Sequence, residues 1–293
     1  MSYTIKEIKP GIKLHLIDTK KFKTNLITVI LTVPLSRKTV TLNTVIPAVL
    51  RSGTNNLKSQ NEISKKLEEM YGAEFDCGIE KIGDNHLIKF YLETLNDSFI
   101  PQENKENLAK DALDLIFDII FNPYINENGF KNEYVELEKN NVKKLIGSKI
   151  DNKNAYALNR CIEEMYKNEP YGLYKFGYVE DLSSINSSNL YEHYKNMINA
   201  SKIDIFFSGD IQNEEIEKYI IENKQIMELQ ERNASPIINS RKELVKVDTK
   251  NIEEKMDITQ GKLILGLDVE SKELDSKFPI SIYNVILRRK CYI

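Results

Sequence analysis

The chain has 293 residues, 41% of them apolar and 29% charged, with a net charge of -3 and a pI of about 5.9. Lys and Arg are interleaved with Asp and Glu, which excludes the basic footprint of a nucleic-acid binder and the polybasic anchor of a membrane-surface protein. No apolar run approaches the length needed to span a bilayer.

The opening stretch, MSYTIKEIKPGIKLHLID, carries charges every few positions and is neither a signal nor a transit peptide. Residues 12–19 alternate apolar and polar, which predicts a half-buried strand. Residues 25–35, NLITVILTVPL, are β-branched and nearly continuous, the pattern of a central strand. TVIPAVLRSGT follows and predicts a short buried helix over 44–52, capped by Asn43 or Thr44, with Pro47 in the first turn and Gly53 closing it in a left-handed conformation. Ser59 and Glu62 form a capping box for the next helix, whose buried stripe is Ile63, Leu67 and Met70 and which Gly72 ends. EFDCGIEKIGDNHLIKFYLETL predicts a hairpin turning at Gly83-Asp84-Asn85.

A long amphipathic helix is expected over 104–123, stopped by Pro123. A charged helix then covers 125–151, another runs from Lys153 towards Pro170, and a capped helix follows over 183–202. IDIFFSGDI, 203–211, predicts a buried strand, and NEEIEKYIIENKQIMELQER a helix beside it. The fold class this order predicts is α+β: an antiparallel or mixed sheet with helices packed on one face. Residues 232–250 are polar and aperiodic, a linker; beyond them EKMDITQGKLILGLDV predicts two strands and KFPISIYNVIL a helix with Pro279 in its first turn. The expected domains are therefore 1–231, a linker 232–250, and the start of a second unit over 251–293.

Three cysteines, Cys77, Cys161 and Cys291, lie far apart without a C-x-x-C, as free thiols of a reducing cytoplasm do. Cys77, in a strand, and Cys161, on the buried stripe of a helix, read as small apolar core residues. The three histidines, His15, His86 and His193, include no pair at helical ligand spacing, so composition argues against a catalytic zinc ion. His86 reads as a strand or turn histidine with a local hydrogen bond. Ser52-Gly53-Thr54 has neither a nearby histidine nor a G-x-S-x-G frame to make it a nucleophile turn. SGDI at 208–211 reads as a plain strand-to-helix turn rather than an anion site.

The segments KFKTNLITVILTVPL, IPAVLRSGT, LEEMYGAEFDCGIEKIGDNHLIKFYLE, DNKNAYALNRCIEEMYKNEPYGLYKFG and IDIFFSGDI carry a resemblance. In this order, over residues 1 to about 287, the chain resembles the pitrilysin/insulinase/mitochondrial-processing-peptidase superfamily, and within it the bacterial branch that lacks the zinc motif. In active members the helix before the Gly-Thr pair carries H-x-x-E-H, two zinc ligands with a general base between them. Laid on TVIPAVLRSGT, that motif falls on Thr44 and Ala48 at the ligand positions and Pro47 at the base position. The third-ligand position falls at Asn140 in the best register, with Glu136 and Glu138 as alternatives and Glu133 keeping the helix acidic.

The resemblance implies a peptidase-like chain without zinc, cofactor or catalytic residues. It further implies a cytoplasmic partner subunit, a heterodimer with an active zinc-containing homologue encoded nearby. The ligand would be a peptide or unfolded protein segment, in some members in connection with modification of a translation elongation factor. Two alternatives stand beside it. One is a remnant whose second lobe is cut short where RRKCYI follows NVIL; the other is an active metallopeptidase with a relocated site.

Overall fold

The computed structural model describes residues 2–100, 107–210, 213–232, 249–267 and 278–290. They fall into two compact units, Met1–Asn239 and Ser240–Ile293. Of the linker expected at 232–250, residues 233–248 lie outside the described residues. Arg232 belongs to the first unit: its buried guanidinium donates to the carbonyls of Ile198 and Ser201, at 2.5 and 3.4 Å.

The first unit is built on six strands in the order β1-β2-β8-β3-β5-β4. These are β1 (Ser2–Lys9), β2 (Ile12–Asp18), β3 (Thr24–Pro34), β4 (Glu74–Ile82), β5 (Asn85–Leu95) and β8 (Lys202–Gly209). Every pairing is antiparallel except β2 with β8, so the sheet is mixed. The period of two puts Ile27, Val29 and Leu31 of β3 on one buried face, with Ile88, Phe90 and Leu92 of β5 and Ile203, Ile205 and Phe207 of β8. Helices cover that face. α1 (Val40–Leu50) packs on β4 and β5, α3 (Leu108–Phe121) on β5 and β3, and α6 (Ser187–Ala200) on β3. α4 (Asn132–Gly147) packs on α1, and α2 (Gln60–Glu69), α5 (Lys153–Met165), α7 (Asn213–Glu222) and α8 (Lys224–Glu228) complete the unit. This is the α+β sheet-and-helix layer that the element order predicts.

Several local expectations are corrected. β1 is a full edge strand where only a charged opening stretch was read; its side chains are mostly exposed, so no apolar alternation marks it. α1 begins at Val40, four residues before Thr44, with Thr39 as its N-cap and no side-chain cap bond. Pro47 therefore sits inside the helix rather than in its first turn, and no N–H reaches back to the carbonyl of Asn43. The helix survives because nearly all of it is buried, so packing outweighs the missing bond. Gly53 takes no left-handed conformation; it is needed for close approach, since a Cβ there would lie 2.9 Å from the backbone of Lys58.

The helix expected over 125–151 starts only at Asn132. Before it, β6 (Ile125–Asn126) and β7 (Gly129–Phe130) form a small hairpin. Gly129 has φ +125°, and a Cβ on it would meet the Ser187 carbonyl at 2.6 Å. The last helix of the unit is two helices, because Asn223 leaves the helical path and caps α8 through Gln225 and Ile226. α5 has no buried residue, so Cys161 is half-buried rather than core; its sulfur lies 3.8 Å from that of Met165.

In the second unit, residues 251–267 form no strand, and Leu263 is 88% exposed. An alternating segment becomes a strand only where another strand pairs with it, and no described residue does so here. α9 (Phe278–Lys290) is the helix expected with Pro279 in its first turn.

Candidate functional site

The candidate site is the face of α1 that carries positions 44 and 48, one turn apart. Thr44 is buried, and its Oγ1 lies 3.0 Å from the Val40 carbonyl and 3.4 Å from that of Lys175. The carbonyl of Pro47 accepts from the Cys77 thiol of β4 at 3.4 Å. Ala48 is half-buried, and its carbonyl accepts from Ser52 Oγ at 3.2 Å.

Across from α1 runs α4. Its carboxylate closest to α1 is Glu138, 6% exposed, with Oε1 3.3 Å from Ser52 Oγ and Oε2 accepting from Asn141 at 3.0 Å. Asn140 is exposed and donates to the Glu136 carbonyl of its own helix at 3.0 Å. Glu136 pairs with Lys139 and Glu133 with Lys131, both at the surface. The structure thus links Glu138 to the Ala48 carbonyl through Ser52, and leaves Asn140 and Glu136 in solvent. One carboxylate, a hydroxyl and a methyl do not make the N/O/S donor set that zinc takes. Among the described residues no group of three His, Cys, Asp or Glu is placed to hold a metal ion.

Two of the three histidines converge one residue away, on Asn43. His86 is fully buried at the start of β5, and its Nε2 lies 2.9 Å from the Lys175 carbonyl. A carbonyl only accepts, so Nε2 carries the proton and Nδ1 is an acceptor. Asn43 Nδ2 donates to that Nδ1 at 3.1 Å. The other end of the amide, Oδ1, accepts from His193 Nε2 of α6 at 2.7 Å. Burial pulls the His86 pKa down to about 4, opposed by the Lys175 carbonyl and aided by the cations of Lys175 and Lys81; burial also lowers that of His193. His86 was expected to bond locally, but its partners are 43 and 89 residues away in sequence. The register of β5 carries the signal: His86 shares the inward face with Ile88, Phe90 and Leu92.

The segment that supplies the Lys175 carbonyl, residues 171–178, lies along the end of the β4–β5 hairpin. Lys81 of β4 donates to the carbonyls of Tyr171 and Leu173 at 2.7 and 2.9 Å. With His86 on Lys175, every second carbonyl from Tyr171 to Lys175 is held. Gly177 has φ +77°, and a Cβ there would lie 2.2 Å from Thr41 Oγ1, so only glycine lets the segment reach α1. Thr41 then bonds both Asp181 and the Tyr178 amide.

The remaining candidates are structural. Burial pushes the Cys77 thiol up to about 11, partly offset by Arg51, which suits a packed sulfur rather than a nucleophile. Thr54 donates to the buried Asp118 at 2.5 Å and Asn56 to its other oxygen at 2.7 Å, tying the loop after α1 to α3. Gly209 of the 208–211 turn is a close approach, where a Cβ would lie 2.0 Å from Asn25 Oδ1; Ile211 lies outside the described residues. Around the site, a hollow of about 430 Å³ lies between α1, α2 and α4, lined by Ser52, Ser64, Tyr134 and Leu137 among others. β4, whose Cys77 touches α1, is the last strand of the sheet, and its outer edge pairs with no described strand.

No family model matches the sequence. A curated relative from Bacillus subtilis (strain 168), named "Probable inactive metalloprotease YmfF", is 30% identical over 288 residues, 97% of this chain and 66% of that protein. The crystal structure of a conserved protein from Enterococcus faecalis V583 superposes with a TM-score of 0.72 at 26% identity, covering 79% of this chain and 53% of that one. A peptidase M16 inactive domain from Pseudomonas fluorescens superposes with a TM-score of 0.61 at 15% identity, covering 80% of this chain and 53% of that one. The chain thus spans just under two thirds of the curated relative and about half of each solved chain. With the sheet-and-helix lobe and the Gly53-Thr54 pair after α1 in place, the chain belongs to the pitrilysin/insulinase (M16) superfamily of peptidase-like proteins.

Proposed function

We propose that this chain is a non-catalytic member of the superfamily that acts as a partner subunit of an active zinc-containing homologue. The observation that carries this reading is an intact scaffold around an emptied motif. α1 keeps its place on β4 and β5, while its face offers Thr44 and Ala48 where active members carry imidazoles and Pro47 where they carry the base. Pro47 has no titratable group, and its carbonyl is engaged by Cys77. Without two ligands and a base there is no water to activate and no proton acceptor for its attack.

What remains is a surface suited to gripping. An extended segment can add to a sheet edge through main-chain bonds alone, which tolerates many sequences, and β4 offers such an edge beside α1. In this reading the chain holds a peptide or unfolded segment, in the cytoplasm, while the homologue encoded nearby supplies the chemistry for its maturation. The step served includes modification of a translation elongation factor. The test uses both purified proteins. The chain alone should carry far less than one equivalent of zinc and show no chelator-sensitive peptide cleavage; added to the homologue, it should raise cleavage of a peptide pool. Zinc at one equivalent with cleavage by this chain alone would overturn the reading.

A further inference from the structure

The Asn43 tie uses each of its polar groups once, which makes it sensitive to a single proton. In the neutral arrangement His86 gives its only N–H to Lys175 and receives one from Asn43, and Asn43 receives one from His193. A proton added to His86 Nδ1 sets N–H against N–H. Within the closed state, pairing that N–H would take a turn-over of the Asn43 amide, which sets its NH₂ against the N–H of His193 and forces a second tautomer change, and would leave the cation as buried as before. The disturbance therefore crosses α1 from β5 to α6. The charges that act on His86 are both positive: Lys81 stands directly opposite on β4, and Lys175 sits on the segment above. His193 is half-buried on α6, with burial alone acting on it.

We propose that Asn43, His86 and His193 form a proton-operated latch that holds residues 171–178 over the Thr44 end of α1 and releases that segment on acidification. When His86 takes a proton its Nε2 still donates to Lys175, but the buried cation lies between Lys81 and Lys175, and the segment lifts to hydrate it. Its ends stay held through Lys81 and through Thr41, so the motion is confined to the span between Leu173 and Gly177. The released state exposes Thr44, whose hydroxyl faces the Lys175 carbonyl in the closed one. The latch stands independently of the partner-subunit reading.

Hydrogen exchange of the full chain at pH 7 and pH 5, corrected for the intrinsic pH dependence of exchange, tests it. The closed state holds His86 near a pKa of about 4, while a released, hydrated imidazole returns to about 6.5. The open fraction should then rise about 20-fold between the two pH values by linkage. The amides of Tyr174 and Gly177, which bond Tyr178 Oη and the Tyr174 carbonyl in the closed state, should lose protection by that factor, and those of β3 by much less. His86→Gln keeps one donor and one acceptor without a titrating ring, and should abolish the differential loss. If His86→Gln does not fold, Asn43→Asp serves: its carboxylate accepts from an imidazolium, so the closed state tolerates the proton and the differential loss should again vanish. Equal loss at Tyr174, Gly177 and β3, or an undiminished loss in either variant, overturns the latch.

Discussion

Removing the Asn43 side chain tests the buried tie most sharply. Asn43→Ala deletes both amide atoms and leaves His86 Nδ1 without a donor and His193 Nε2 without an acceptor. A buried polar group left unsatisfied destabilises by about 1–3 kcal/mol. His86 has no exposed surface, so it should contribute near the upper end, whereas half-buried His193 can recover a water and should contribute near the lower end. The sum is a loss of about 3–4 kcal/mol. Equilibrium urea unfolding at pH 7 reads it as a fall in midpoint at unchanged slope. A loss below about 0.5 kcal/mol would refute the reasoning, because that is what a solvated asparagine gives up.

Further outcomes follow from the same geometry. Stability should depend on pH through His86. Its neutral form is favoured in the folded chain, so its contribution is complete above about 6.5 and is lost as pH falls towards about 4, amounting to about 3 kcal/mol; unfolding midpoints measured across that window check both sign and size. Pro47→Ala restores an N–H for the Asn43 carbonyl, worth about 3 kcal/mol in a helix interior, against about 1–2 kcal/mol of lost buried apolar surface. A net gain of about 1 kcal/mol in urea unfolding is expected, and a loss would mean that the helix is kinked to suit the proline. Gly177→Ala meets both a positive φ and a 2.2 Å contact with Thr41, and should lower stability by more than about 2 kcal/mol while raising exchange in 171–178. Thr54→Val leaves Asp118 one donor short and should lower the thermal midpoint by several degrees, with Asn56 keeping the other oxygen satisfied.

The layer of helices on a sheet was legible because β3, β5 and β8 carry strong two-residue alternation and α3 and α6 carry clear apolar stripes. β1 was not, since an exposed edge strand buries too little to leave a pattern. Neither was the start of α1: Pro47 looked like a first-turn residue by propensity, and tertiary burial overrode that preference. The strands expected in 254–269 are absent from its described part, which ends at 267, for the opposite reason: alternation alone supplies no partner. At the site, Thr44, Pro47 and Ala48 were placed by their spacing to Gly53-Thr54, and on α4 the sequence left Asn140, Glu136 and Glu138 open. Counting favoured Asn140, whereas the helical phase set by Val135 and Val142 turns Glu138 inward. The joining of His86, Asn43 and His193 needs three elements at once and has no local signature.

The central claim is that this chain supplies a scaffold without the metal chemistry. Size-exclusion chromatography of the chain mixed with its zinc-containing homologue, with metal analysis on each peak, tests it most directly. The account predicts a joint peak whose zinc equals that of the homologue alone. Separate peaks, or zinc that tracks this chain, would contradict it.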